Sequence, residues 1–243
     1  MRASLDGSLA AFAGAGFTML EGVFDVEEIN SLASRLSATL EERTEPSVLR
    51  SRGRTYGSRN LLETFPEAIG LLNCPSLSQF AMAVLGQNAG LVRVLYFDKP
   101  PDRSWSLPWH KDRTIAVKRN DLASERFRKP TTKAGVPHVE APTSLLERML
   151  TLRIHLDPMN QENGPLHVIP GSHREDNKEP EQSLELRAGI GDVLAMRPLL
   201  SHSSTMSRPG TTAHRRVIHM ELVSDVDLSG GYEWYSFIPL AFA

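Results

Sequence analysis

Apolar positions recur at helical spacing early in the chain and at strand spacing later. Ile29, Leu32, Leu36 and Leu40 fall three or four residues apart, forming one stripe of an amphipathic helix, and Asp25 followed by Glu28 predicts a capping box at its start. A second helix is predicted from Ser76 to Leu85, with Pro75 near its start and Gly86 at its end. From residue 90 the texture changes to short β-rich runs separated by Gly and Pro: Leu91–Phe97, Ile115–Val117, Met149–Leu156, Leu166–Ile169, Asp192–Met196 and Val217–Val223. Strands this short, so closely spaced, predict a sandwich or barrel. The stretch 118–146, with Pro130, Pro137 and Pro142, is too long for an ordinary hairpin loop, and loops of that length often serve as lids. The expected organisation is one domain over 1–243: a helical N-terminal cover (1–89), a β core (90–243) and a lid (118–146) hinged at Gly135.

Composition narrows the function classes. A chain of 243 residues buries a substantial core without disulfide or metal staples, so stability alone forces no cofactor. Hydrophobic residues at 40% and charged residues at 23% exclude a disordered or collagen-like chain. With 27 basic against 29 acidic residues, the net charge of −2 gives no electrostatic case for a nucleic-acid partner. The charge is unevenly spread: residues 1–42 carry seven acids against Arg2 and Arg35, whereas residues 98–133 carry ten bases against five acids. A charge run alone is ordinarily a solvated face. One cysteine, Cys74, permits neither an intramolecular disulfide nor a cysteine zinc cage and fits a reducing compartment. The apolar start, Leu9 to Phe17, is broken by Gly14 and Gly16, lacks a basic leader and is too short to span a bilayer, so a cytoplasmic, membrane-free protein is expected.

Chemistry enters at His110-Lys111-Asp112. On an extended backbone His110 and Asp112 point to one face while Lys111 points away. An imidazole and a carboxylate suit a first-row divalent metal, and a further histidine completes the 2-His-1-carboxylate triad of non-heme Fe(II) oxygenases. The tripeptide by itself is also an ordinary polar surface strand. Its context is Asn163-Gly164-Pro165-Leu166-His167-Val168-Ile169-Pro170-Gly171-Ser172-His173, then Gly191-Asp192-Val193, then Leu199-Leu200-Ser201-His202-Ser203-Ser204, then Arg215-Arg216-Val217-Ile218-His219. This series, in this order over residues 90–225, resembles the phytanoyl-CoA dioxygenase-like family of Fe(II)/2-oxoglutarate-dependent oxygenases, with Gly16–Leu40 a fainter match to the family's N-terminal strand and helix.

The resemblance implies a mainly β fold with flanking helices, a double-stranded β-helix (jelly-roll, cupin-like) barrel. It implies Fe(II) held by His110, Asp112 and His202, with 2-oxoglutarate and O2 as cosubstrates and succinate and CO2 released as a small-molecule substrate is hydroxylated. Halogenating relatives carry a small residue where Asp112 stands, so the carboxylate points to hydroxylation. The family's 2-oxoglutarate arginine lies on the strand after the distal histidine, where Arg215 and Arg216 both stand. Strand parity separates them: Arg216 shares a face with apolar Ile218, Met220 and Leu222, whereas Arg215 shares one with Val217 and His219 and points inward. Ser204, beside His202, is a further cosubstrate candidate. In Met149–Leu156, Leu150, Leu152, Ile154 and Leu156 take one side and Thr151, Arg153, His155 and Asp157 the other. In a β-helix the second side lines the cavity, making Arg153 a cosubstrate or substrate contact and His155 the rival metal ligand. His167 and His173 are expected to be structural, and His138 and His214 have no motif support. Basic residues of the lid, Arg126, Arg128 and Lys129 among them, would favour an anionic substrate. Two other classes share the barrel: a cupin-type metal-dependent isomerase or epimerase, which needs no arginine after the distal histidine, and a non-catalytic binding protein, which has no need of all three ligands.

Overall fold

The computed structural model describes residues 4–174 and 179–240. Its strands are β1 (Phe17–Leu20), β2 (Val48–Ser51), β3 (Arg54–Ser58), β4 (Gly90–Lys99), β5 (Leu107–His110), β6 (Thr114–Ala116), β7 (Arg128–Lys133), β8 (Val136–Glu140), β9 (Met149–His155), β10 (Leu166–Val168), β11 (Leu184–Glu185), β12 (Val193–Met196), β13 (His202–Ser204), β14 (Arg215–Val223) and β15 (Ile238–Pro239). The helices are α1 (Leu5–Ala15), α2 (Val26–Glu42), α3 (Leu61–Thr64), α4 (Pro75–Leu85) and α5 (Thr143–Leu146). Strands β1-β12-β9-β14-β4-β3-β2, with β15 also on β4, form a large antiparallel sheet; β11-β10-β13-β5 form a second sheet and β6-β8-β7 a third. The architecture is the expected one, mainly β with flanking helices and jelly-roll-like.

Period-2 patterning decides which face of the large sheet meets the helices. Leu150, Leu152 and Ile154 of β9 and Ile218, Met220 and Leu222 of β14 join Ile29, Leu32 and Leu36 of α2 and Leu77 and Phe80 of α4 in one core. The opposite face of the same strands carries Arg153, Arg215 and His219, which therefore face the space between the sheets. Leu194 and Met196 of β12 meet Leu166 and Val168 of β10 and close one end of that space.

Three expectations need correction. Asp25 is the N-cap of α2, but its side chain makes no capping bond; the five buried residues Ile29, Leu32, Ala33, Leu36 and Leu40 hold the helix instead. The first 89 residues are more than a helical cover, since β1 pairs with β12 and the β2–β3 hairpin extends the large sheet beyond β4. Residues 118–146 are not one open loop. They contain the β7–β8 hairpin, paired to β6, and the short α5, and they bury Phe127, Val139, Leu145 and Leu146. Gly135, expected as a hinge, forms the hairpin turn with Ala134, both at positive φ (80° and 50°). No single helix among the described residues is long and apolar enough to cross a membrane.

Candidate active site

His110 ends β5, His202 begins β13, and the two are direct cross-strand partners. Asp112 lies just past β5, where its backbone N–H donates to the Pro198 carbonyl at 2.9 Å. This brings the three side chains together, with one ligand atom from each within 4.8 Å of the others. The carboxylate oxygens of Asp112 stand 3.9 Å from His110 Nε2 and 3.6 Å from His202 Nε2. Each imidazole is oriented by the carbonyl two residues before it: His110 Nδ1 meets Pro108 O at 2.7 Å and His202 Nδ1 meets Leu200 O at 2.9 Å. A carbonyl only accepts, so both Nδ1 atoms carry the proton and both Nε2 lone pairs face Asp112. This is the tautomer a metal ligand requires, with its outer contact already made. Burial holds the His202 pKa below its ordinary value despite the opposing pull of Asp112, which keeps that lone pair available.

The cluster opens into a cavity of about 320 Å³ between the large and second sheets. Four strand-face positions of β14 (Arg215, Val217, His219, Glu221) and four of β4 (Arg93, Leu95, Phe97, Lys99) line it. At one end Arg215 faces Lys99 across the β14–β4 ladder. Arg215 is 7% exposed; among the described residues its Nε has no partner and its one side-chain hydrogen bond runs to the sulfur of Met159 at 3.9 Å. Burial, then Arg153, pushes its pKa down to about 9. Arg153 is equally buried with an unpartnered Nε, and burial lowers its pKa to about 10. Lys99 is lowered to about 7 by burial and by the same two arginines; its Nζ donates to Thr205 O at 2.7 Å and lies over the Trp105 ring. Ser204 Oγ is buried at this end without a partner. These three buried basic side chains, with no carboxylate among their hydrogen bonds in the described residues, can hold an anion, and its negative charge would favour the protonated form of Lys99. Gly164 shapes the adjacent loop: at φ 70°, a Cβ there would stand 2.3 Å from the Thr205 carbonyl that holds Lys99.

The structure separates the two arginines as strand parity anticipates. Arg216 is half-buried outside the cavity, where Nε and Nη2 donate to Asp157 at 2.8 and 2.7 Å and its backbone N–H donates to the same carboxylate. Asp157, past the end of β9, turns to that pair and not into the cavity. His155 is buried but does not belong to the metal cluster. Both its ring nitrogens lack partners, and burial followed by Arg153 and Arg215 lowers its pKa to about 3. His173 packs its ring against Gly16, His138 is buried in the β8 hairpin, and His214 pairs with Asp98 at 2.9 Å.

Of the lid's basic residues, Arg126, Arg128 and Lys129 do not line the cavity, and Lys129 pairs with Glu140. Lys133, another of the lid's basic residues, does line it, as do Arg59, Arg93, Lys99, Glu221, Tyr56 and Trp105, which the sequence alone does not place there. Arg93 carried a readable signal, a lone charge inside the apolar run Leu91–Phe97. The β2–β3 hairpin that brings Tyr56 and Arg59 carried none.

A family model described as Phytanoyl-CoA dioxygenase (PhyH) matches residues 12–217. An ectoine dioxygenase of Bordetella bronchiseptica is 24% identical over 165 residues, which cover 66% of this chain and 46% of that protein. The chain thus spans about half the length of that curated relative. Among solved structures, AviO1 from Streptomyces viridochromogenes Tue57 aligns with a TM-score of 0.63 and 21% identity over 94% of this chain and 98% of its own. EctD from S. alaskensis, with 2-oxoglutarate and 5-hydroxyectoine, aligns with a TM-score of 0.67 and 19% identity over 89% of this chain and 74% of its own.

Proposed function

The chain belongs to the phytanoyl-CoA dioxygenase family, and from that premise we propose that it is an Fe(II)- and 2-oxoglutarate-dependent dioxygenase that hydroxylates a small, anionic molecule in the cytoplasm. The observation that carries this reading is the convergence of two Nε2 lone pairs and one carboxylate beside a buried, unpaired arginine. The residues fit the missing groups: His110, Asp112 and His202 would hold the iron, and Arg215 the distal carboxylate of 2-oxoglutarate. Ser204 and Arg153 add donors nearby. When bound, iron with O2 and 2-oxoglutarate supplies the oxidising power, coupling loss of CO2 and release of succinate to hydroxylation of a substrate C–H bond.

The chain's own residues orient and exclude. Backbone carbonyls at Pro108 and Leu200 fix the imidazole tautomers, so no ring flip is needed when a metal arrives. A guanidinium grips both oxygens of a carboxylate at once and fixes its plane as well as its place. Leu95, Phe97, Leu166 and Val217 between the charged ends limit water in the cavity, and this strengthens each charged contact. The test is a screen for succinate release from anaerobically iron-loaded protein given 2-oxoglutarate, O2 and small organic acids. Substrate-stimulated succinate formation that vanishes in His202→Ala is expected. A hydroxylation or epimerisation that proceeds without consuming 2-oxoglutarate would refute the proposal.

A further inference from the structure

The end of the cavity opposite Arg215 is also cationic, and neither the metal cluster nor the cosubstrate anchor uses it. Arg215 and Glu221 lie six residues apart on one face of β14, roughly 20 Å along an extended strand. At the Glu221 end Arg93 is the cross-strand partner, and Arg59 and Lys133 reach the same wall from β3's exit and the β7–β8 hairpin. Arg93 is 8% exposed. Its Nε donates to Arg59 O at 3.4 Å, its Nη1 is 3.9 Å from Glu221, and its Nη2 is buried with no partner among the described residues. Lys133 Nζ donates to Thr114 Oγ1 at 2.8 Å, and Thr114 lies two residues beyond Asp112, so this end adjoins the metal cluster. Among the described residues the acids that bear on this end are Glu221 and Asp112 of the His110–Asp112–His202 cluster, against three cations, and burial raises the Glu221 pKa, which weakens it as a counter-ion. His138, behind Arg93 on β8, has its pKa lowered to about 4 by burial and by Arg93 and adds no charge near neutrality. The cations also work against one another: Arg93 lowers the pKa of both Arg59 and Lys133, after burial itself.

We infer that Arg59, Arg93 and Lys133 form a second anion seat, which binds a carboxylate or phosphate group of the substrate and holds the carbon a few bonds away from it at the His110–Asp112–His202 cluster. Like-charged side chains held together in a desolvated wall, one with a buried donor left over, are the complement of an oxyanion with several acceptor sites. Lys133 Nζ and Arg93 Nη2 converge on that anion, while Glu221 keeps Arg93 extended along the sheet. The identity of this anion as substrate rests on the proposed function, in which Arg215 takes the cosubstrate; the existence of the seat does not.

The test is anaerobic binding to the full chain saturated with Fe(II) and 2-oxoglutarate, read by isothermal titration calorimetry. The probes are phenylacetate, phenyl phosphate and neutral phenylacetamide. Wild-type protein should bind the two anions about tenfold or more tighter than the amide. That preference should fall towards one in Arg93→Gln, Arg59→Gln and Lys133→Met, with the affinity for 2-oxoglutarate unchanged. Because Arg93→Gln leaves Glu221 without its cation, Lys133→Met at the end of a hairpin strand keeps the test valid if the first variant fails to fold. No preference for anions, or a preference intact in the variants, overturns the seat. Loss of 2-oxoglutarate affinity in Lys133→Met but not in Arg215→Gln also overturns it, by placing the cosubstrate at this end. If Arg215→Gln leaves 2-oxoglutarate binding intact while anion preference still follows Arg93 and Lys133, the cosubstrate assignment fails and the seat stands.

Discussion

Replacing Arg215 with Met should weaken cosubstrate binding by about thirtyfold or more without lowering the melting temperature of the ligand-free protein, and replacing Arg216 with Met should lower that temperature with cosubstrate binding intact. Arg215 is almost fully buried without a carboxylate, and burial lowers its pKa from the ordinary guanidinium value to about 9. A cation whose pKa is lower in the folded than in the unfolded chain destabilises the fold wherever both forms are charged, which includes pH 7. The penalty is on the order of a few kcal/mol, reduced by whatever water enters the cavity. Methionine removes it. The charge-assisted contact that Arg215 would make with 2-oxoglutarate on the proposed assignment is worth about 2–5 kcal/mol, so the variant's Kd for 2-oxoglutarate should rise from about thirtyfold to several thousandfold. Arg216 is different, because its two-pronged contact with Asp157 is complete without any ligand. Its loss should cost about 1–3 kcal/mol, a fall of about 2–12 °C in Tm, with cosubstrate binding intact. Thermal melts with and without 2-oxoglutarate read both quantities, since a ligand raises Tm according to its affinity. If Arg215→Met lowers the ligand-free Tm as much as Arg216→Met does, or still responds to 2-oxoglutarate, the reasoning about β14 is wrong.

His202→Ala should weaken Co(II) binding, followed by its visible absorption, by at least tenfold, whereas undiminished occupancy would move the third ligand to His155. In chloride buffer the wild-type protein should yield only oxygenated product, because Asp112 as the proposed carboxylate ligand would fill the position that a halide needs; chlorinated product by mass spectrometry would refute the assignment. Gly164→Ala should destabilise the fold by about 2 kcal/mol or more, since the new Cβ meets the Thr205 carbonyl at 2.3 Å on a backbone at φ 70°. A calorimetric Tm equal to wild type would show that this loop yields. The bond to Asp98 raises the His214 pKa, so its stabilisation is full below the unfolded value near 6.5 and fades as pH rises through the folded value. The Tm difference between wild type and His214→Ala should therefore be larger at pH 5.5 than at pH 8.5, and the opposite trend would exclude the pair as its source.

The strands β4, β9 and β14 were legible because long alternation is a local signal, and the same parity that sorts Leu152 from Arg153 sorts Arg215 from Arg216. His110, Asp112 and His202 were legible through motif order, although nothing local in the sequence says that His202 pairs across a ladder with His110. What escaped is long-range. The β2–β3 hairpin is short and polar, and only its pairing to β4 gives Tyr56 and Arg59 a place in the cavity. In 118–146 the prolines suggested an open loop, yet Pro130 and Pro137 lie within β7 and β8, whose pairing is sustained by Phe127 and Val139 beneath. The charge excess there pointed to an anion, but Lys133 lines the cavity while Arg126, Arg128 and Lys129 do not.

Because one strand carries both Arg215 and Glu221, the length of the cavity is graduated by the β pleat. A single-residue insertion between them would rotate one end to the helix-packed face and place a charge in the core, so the strand can be lengthened only in steps of two residues. Any relative of this protein that accepts a longer or shorter molecule must have been retuned elsewhere. The adjustable parts are Leu49 and Tyr56 on the β2–β3 hairpin, Trp105 and Leu107 before and within β5, and Lys133 on the β7–β8 hairpin. On the proposed function, a library meant to alter substrate range should therefore vary those five positions while leaving β14 untouched.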